Sequence, residues 1–556
     1  MFRLIRHIGT SWRDEEGQSP SPYALGGWTA FLAGIAIAAL AGLALFNSIT
    51  RMQQFSPDSL TYIDVAQNWA AGRGLAHSAW ISYGPRDWAA QPLLSPCTLW
   101  APLYPLAIGM LGWMGMPVWM AALTLPFVGL LLFLAAIYAL CRHLYNDTAA
   151  WFSVAALSVY GPVYLCARYA WSEMPALACL AWAYWFLLSA RENRKARLLV
   201  SGVLFGLAFS ARYVLFPAVG LGVLMLAWSS CTTKKTPVLS RVALLLIGFG
   251  AVAAMAVGHN WLSDGTLLGP ARAASQIGFW TNLKHAAYVL CFGAIPAGWT
   301  AADPAAAHGW LWAGLGVLCL ILAVLDGRLG AVRCAMNTSA RCLLPLWGMG
   351  YMLMLVVYRS MVEIDPIGPR LLAPGLAFLV PPLIAAAVAW VGPAKRCYRA
   401  VLALLIAAAA FQEFQVYLAN PPMAFVSHQL DSPRLRWVAQ NTTERDLLIG
   451  DSTMDIPVYS GFRHTVCLLP KDSQQFLDYP GLKVFLKNHI KDFDRAFVLL
   501  RAGIPNTSPG DEAQWKEAFG PFVTDLVFNR LADYPEISPG PEVRRSHVFC
   551  IDLKNL

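Results

Sequence analysis

Long apolar runs, separated by short polar segments, dominate the first three quarters of the chain. The first 27 residues are polar and carry Arg3, Arg6 and Arg13. An apolar run of 20 residues follows, from Trp28 to Asn47. At about 1.5 Å of rise per residue it reaches roughly 30 Å, the thickness of a bilayer core. Further runs at 118–141, 148–167, 174–190, 198–211, 213–229, 241–260, 310–325, 342–358, 371–391 and 400–418 predict about 11 spans in all. A long, mostly polar loop, 48–117, separates the first span from the second.

Basic residues orient this ladder. Seventeen Lys and Arg fall in the N-terminal tail and in alternate loops, against about nine in the opposite, longer loops. The positive-inside bias then predicts a cytoplasmic N-terminus and outer loops that include 48–117. The apolar stretches Leu103–Met116 and Ala286–Trp299 are short for a span. Charge bias puts the first of them half-buried at the outer interface. Residues 198–229 read as a bent hairpin with Arg212 at its outer tip. A snorkelling side chain accounts for Arg359 at a span end.

Beyond residue 418 the chain changes character. Short apolar runs at Leu447–Gly450, Thr465–Leu469, Ala496–Leu500 and His547–Asp552 predict strands, and Pro433–Asn441 and Leu482–Ile490 predict helices. The expected organisation is a cytoplasmic tail at 1–27, a transmembrane domain at 28–418 and a small extracytoplasmic α/β domain at 419–556. Cys467 and Cys550 both lie in that last part, which leaves a disulfide between them open.

Composition sharpens the picture. Of 556 residues, 57% are hydrophobic and only 13% charged. A soluble chain of this length needs about twice that charge to cover its surface. The formula excludes a soluble enzyme, a disordered chain and a disulfide scaffold. No Walker A, GxGxxG or HExxH pattern stands in a meaningful context, so the candidate chemistry must come from the outer loops. Ionisable residues at membrane helix ends are the natural places to look.

The first outer loop opens with Ser56-Pro57-Asp58-Ser59 and runs into a helical pattern through Ala70, closed by Gly72 and Gly74. Leu60, Ile63, Val65, Ala66, Trp69 and Ala70 predict the apolar side of a helix lying on the interface. Asp58 in its first turn suits a helix cap and equally a general base. Ser172-Glu173 before the span at 174–190 allows the same two roles. If Glu173 lies beside Asp58, the pair could hold a divalent metal or divide base and orienting duties. Arg212 and Arg370 sit at outer helix ends and offer the planar fork of donors that suits phosphate. His77, His259, His285 and His308 are scattered without metal spacing.

These residues, in this order, resemble the C-type (GT-C) membrane glycosyltransferases, in the bacterial family related to protein O-mannosyltransferases and lipid A aminoarabinose transferase. The resemblance lies in Asp58-Ser59-x-x-Tyr62-x-x-x-Ala66, in Ala101-Pro102-Leu103-Tyr104-Pro105-Leu106 and in Ser172-Glu173. It continues through Arg212 after the Gly202/Gly206 span, Pro369-Arg370-Leu371-Leu372-Ala373-Pro374 and Trp437-Val438-Ala439-Gln440-Asn441-Thr442. It implies a GT-C fold and a hexosyl or pentosyl transferase that uses a polyprenyl-phosphate sugar on the outer face of a bacterial inner membrane. The acceptor hydroxyl, on a lipid, polysaccharide or protein, attacks with inversion. The resemblance further implies Asp58 as base, Glu173 as its orienting partner or a metal ligand, Arg212 and Arg370 on the donor phosphate, and Tyr62 and Tyr104 at the substrate pocket. No nucleic-acid partner is expected. A transporter or flippase of lipid-linked sugars, using the same cavity without catalysis, is the alternative.

Overall fold

The computed structural model describes residues 55–80, 94–158, 160–190, 195–233, 238–270, 272, 274–292, 340–391, 433–450, 456–467, 479–489, 491–502, 528–536 and 544–551. The expected spans at 28–47, 310–325 and 400–418 lie outside them.

Helix α1 (Pro57–Ala70) opens the described chain. Short strands β1 (Ala76–His77), β2 (Ala79–Trp80) and β3 (Ser95–Pro96) follow, then α2 (Leu103–Trp113). Next come α3 (Val118–Leu144), α4 (Asp147–Ser158), α5 (Gly161–Arg168), α6 (Glu173–Leu188), α7 (Lys195–Ala211), α8 (Pro217–Thr233), α9 (Val238–Asp264), α10 (Phe279–Phe292), α11 (Leu343–Met361) and α12 (Pro369–Val391). Among these, α3, α9, α11 and residues 369–388 of α12 are long and apolar enough to cross a membrane.

One apolar run departs from its expected single span, and another bends at the predicted place. The run 148–167 is two helices, because Tyr160 is extended and Gly161-Pro162 starts a new helix with Pro in its first turn. The run 198–229 doubles back at Arg212. The backbone there is extended (φ −158°, ψ 104°), with one turn of 3₁₀ helix at Tyr213–Leu215 before α8. A Cβ on Gly222 would lie 3.3 Å from the Phe205 ring, so α8 returns along α7. Arg359 also departs from its expected place. It is 5% exposed and does not snorkel. Its Nε donates to the Asp365 carbonyl at 2.9 Å, and its Nη1 donates to Asn282 of α10. It therefore closes the α11 end from inside.

Close approach of α7 and α9 sets where Arg212 sits. A Cβ added at Gly248 would fall 2.3 Å from the Leu199 carbonyl oxygen, and one at Gly202 would fall 2.1 Å from that of Leu245. The two backbones touch through these glycines, as small residues permit between membrane helices. Asn260 of α9 then ties down the turn after Arg212, donating to the Tyr213 hydroxyl at 2.9 Å and the Leu267 carbonyl at 3.1 Å.

The C-terminal region carries α13 (Pro433–Asn441), β4 (Asp446–Gly450), α14 (Ile456–Tyr459), β5 (His464–Cys467), α15 (Tyr479–His489), β6 (Arg495–Ala502), β7 (Phe528–Glu536) and β8 (Arg544–Ile551). One sheet runs in the order β2-β5-β4-β6-β8-β7. β2, β5, β4 and β6 are parallel, and β8 and β7 are antiparallel additions. The edge strand β2 comes from the loop before α2, some 380 residues away in sequence. Cys467 on β5 and Cys550 on β8 stand three strand spacings apart, about 14 Å at ~4.8 Å each, too far for a disulfide.

Replacing Gly248 by Leu should force α7 and α9 apart and cost about 1–3 kcal/mol, the usual range for overpacking. Gly250, with open space around its Cβ position, serves as the control. Thermal unfolding in detergent should show a lowered midpoint for Gly248→Leu and none for Gly250→Leu.

Candidate active site

Four helix ends meet at one place. Ser56 caps α1: its Oγ accepts the Ser59 N–H at 3.2 Å, with Pro57 at the first helical position. With the cap supplied by Ser56, the Asp58 carboxylate is left free to turn outward. Glu173 is the first residue of α6, where the helix dipole favours an anion. Its neighbour Ser172 makes no side-chain cap bond. Arg212 follows the last residue of α7, the end that favours a cation. Arg370 is the second residue of α12, after Pro369. A cation in a first turn opposes the dipole, so its place must be stabilised by something else.

That something is a pair of carboxylates. Arg370 Nη1 lies 2.6 Å from Asp58 Oδ2, and its Nε donates to Glu173 Oε1. Arg212 Nη1 reaches the same Glu173 Oε1 at 2.7 Å. Glu173 has no exposed side-chain surface. Arg212 and Arg370 are 15% and 18% exposed, and Asp58 is the most open at 24%. Two carboxylates and two guanidinium groups balance in charge. The arrangement grades from a closed interior at Glu173 to an accessible rim at Asp58.

Aromatic side chains build the walls. The Arg370 guanidinium lies 3.9 Å from the centre of the Trp171 ring, a cation–π contact. Trp171 stacks on Tyr169 with centroids 4.4 Å apart, and its indole N–H donates to Ser56 Oγ at 2.6 Å. One serine thus caps α1 and locks the ring beneath Arg370. The hydroxyls of Tyr62 and Ser172 are 3.3 Å apart, and Tyr62 meets Tyr104 edge to face at 4.9 Å. Burial first, then the Asp58 and Glu173 carboxylates, raise the Tyr62 phenol above its ordinary value, so it stays protonated. Tyr104 is buried and donates to the Ala122 carbonyl at 2.7 Å. It supports Tyr62 from behind, with its hydroxyl already engaged.

Asp58, Glu173, Arg212 and Arg370 therefore come together, with Tyr62 in their lining and Tyr104 one layer back. Ser172 joins them beside Glu173, and Trp171 and Ser56 do so without having been singled out in the sequence. Trp171 had a visible signal, an aromatic two residues before Glu173. Ser56 did too, as a serine before proline at a helix start. The helix α1 is not the surface helix its pattern suggests, since Thr61, Asp64 and Asn68 on its polar side are buried as well.

A divalent cation does not fit this donor set. It would seek six or more oxygens, whereas Asp58 Oδ2 and Glu173 Oε1 are both already engaged by Arg370. Among the described residues no three His, Cys, Asp or Glu side chains gather in a metal-binding group. His259 instead has a ring nitrogen 3.1 Å from the Cys97 carbonyl, and His77 packs edge-on against Trp100.

Removing the central carboxylate leaves two guanidinium groups facing each other. Glu173→Ala should cost on the order of 3 kcal/mol, the lower end for breaking a buried ion pair. Asp58→Ala, at the open rim, should cost under about 1 kcal/mol. Unfolding of the two purified variants, followed side by side, tests that order.

Comparison with known proteins gives a partial family match. Residues 102–255 match the dolichyl-phosphate-mannose-protein mannosyltransferase family. Curated protein sequences give no match. Among solved structures, ArnT from Cupriavidus metallidurans in the apo state is 15% identical, covers 95% of this chain and 98% of its own, and superposes with a TM-score of 0.56. ArnT bound to undecaprenyl phosphate gives 13% identity, the same coverage and a TM-score of 0.55. The archaeal oligosaccharyltransferase AglB from Archaeoglobus fulgidus, in complex with an inhibitory peptide and a dolichol-phosphate, is 12% identical. It covers 93% of this chain and 74% of its own at a TM-score of 0.50. Residues 102–255, just over a quarter of the chain, thus resemble that family, and over nearly its whole length the fold is similar to that of ArnT.

Proposed function

We propose that the protein transfers a sugar from a polyprenyl-phosphate carrier to an acceptor hydroxyl, with inversion, on the extracytoplasmic face of a bacterial inner membrane. The reading rests on one observation: Asp58, Glu173, Arg212 and Arg370, from four separate helix ends, form one charge-balanced cluster with a graded opening. The lipid phosphates bound by ArnT and AglB, whose fold it shares, support a donor of that class.

The chemistry assigns each side chain a part. The acceptor oxygen attacks the anomeric carbon as the bond from that carbon to the phosphate oxygen breaks. Asp58 takes the acceptor proton, and the polyprenyl phosphate leaves with the bonding electrons. Arg370, and behind it Arg212, offset the charge that grows on the phosphate. Before the donor arrives, Arg370 spends its Nη1 on Asp58. A phosphodiester competing for that guanidinium would release Oδ2, so the base becomes available when the donor is in place. Glu173 does not reach the reacting atoms. It fixes both guanidinium groups and is a positioning residue.

Charges held at helix ends, not at mid-membrane, favour transfer over transport. Purified protein in lipid should form a glycosylated product from a polyprenyl-phosphate sugar. Asp58→Asn should lower turnover by about 10²–10⁴-fold, the usual worth of a general base, while still retaining donor lipid on co-purification. Flux of lipid-linked sugar across vesicles with no product formed would instead identify a transporter. Arg370→Lys, which has no fork to span phosphate and carboxylate, should raise the donor KM.

A further inference from the structure

Asp64 is a buried carboxylate that the chemistry above does not use. It lies on α1 six residues beyond Asp58, on another side of the helix, and is 2% exposed. Desolvating a carboxylate is costly unless its oxygens are filled with hydrogen bonds. Here they are. Oδ2 accepts the Ser78 backbone N–H at 2.8 Å, and Oδ1 accepts the Ser78 hydroxyl. Asn68, one turn on, donates to Oδ1 at 3.3 Å and to the Ala76 carbonyl at 2.9 Å. Arg73 Nε donates to Asn68 Oδ1 at 2.9 Å. Gly72 and Gly74, with φ of 77° and 85°, let the chain turn back sharply enough for these bonds.

The folded-back loop then reaches the C-terminal region. The Ser78 carbonyl accepts the Thr465 N–H at 3.0 Å, and Ala79 and Trp80 pair in parallel with Thr465 and Val466 of β5. Two further ties run from the same helix and loop. Gln67 Nε2 donates to the Val458 carbonyl at 3.4 Å, and the Arg73 guanidinium lies 3.9 Å from the centre of the Phe462 ring. A helix that carries a reacting carboxylate at its first turn is thus bolted, further along, to a sheet formed by residues 446–551.

We propose that Asp64 is a positioning residue for Asp58, and that it acts by clamping α1 to the edge of the C-terminal sheet. The proposal rests on Asp58 being the base. Asp64 fixes the register of Ser78, Ser78 fixes β2 against β5, and the sheet holds α1 at the angle that aims Asp58 at its site. An error of about 1 Å at a reacting group can cost 10²-fold in rate, so a clamp less than two turns away matters to chemistry.

The test uses the full chain in lipid, with hydrogen exchange and steady-state kinetics on the same preparations. Asp64→Asn keeps the shape and replaces one acceptor oxygen by a donor. It should speed exchange both at the Thr465 amide and at the first turn of α1. It should also lower kcat about tenfold or more while the donor KM stays within about twofold. Ser78→Ala should act in the same direction, and Ser78→Thr, which restores the hydroxyl, should return towards wild type. Wild-type kcat in a folded Asp64→Asn protein overturns the proposal. So does a donor KM that rises in step with the loss, or faster exchange at Thr465 with α1 unaffected. Should the wild-type protein transfer no sugar, the reading of its function falls, and the exchange at α1 alone then decides whether Asp64 clamps the helix.

Discussion

A carboxylate shut away from water in an apolar bundle needs positive charge beside it, and the site is organised around that need at Glu173. Its Oε1 takes hydrogen bonds from two arginines well over a hundred residues apart in sequence, one closing α7 and one opening α12. Each arginine would be costly there alone. Arg370 in particular stands in a first turn where the helix dipole repels it. The three charges stabilise one another, and the position of any one fixes the others. Asp58 is the fourth member. Among the described residues it pairs with Arg370, and at 24% exposed it is the most open of the four.

This grading separates structure from reactivity. The inner pair, Glu173 with Arg212, loses most if disturbed and has least access to a ligand. The outer pair, Asp58 with Arg370, is more exposed and rests on an aromatic face at Trp171. A guanidinium over an indole can swing in the ring plane at small cost, because the attraction depends on staying above the face more than on direction. Arg370 can therefore shift away from its carboxylate partner while keeping one neighbour throughout.

How far the sequence foretold this depends on the scale at which each residue acts. Apolar runs make helices wherever they are long, so the helices near 118–141, 241–260, 342–358 and 371–391 follow from local pattern. A charged residue at the edge of such a run must lie at a helix end, which brought Asp58, Glu173, Arg212 and Arg370 to notice before any contact between them was visible. Partnership is a tertiary fact. Nothing in Ser56-Pro57-Asp58 says that Ser56 would receive an indole N–H from residue 171. The break at Tyr160 was written in Gly161-Pro162 and hidden by the surrounding hydrophobicity. Arg359 resembled every other arginine at a span end until its buried acceptors were seen.

Asp64 marks the deeper limit. In a helix whose apolar residues fill one side, a polar residue on the other reads as solvated, and period alone cannot say otherwise. What covers that side is a loop folded back by two glycines and a strand added to a sheet almost four hundred residues later. A one-residue slip of β2 would turn its side chains to the opposite face of the sheet, so the pairing needs an external register mark. A carboxylate that accepts both the N–H and the hydroxyl of a single serine is such a mark, since no neighbouring residue in the loop 76–80 offers both donors. The expense of burying Asp64 is thus best understood as specificity: it selects one docking of the sheet on α1 and, through α1, one position for Asp58.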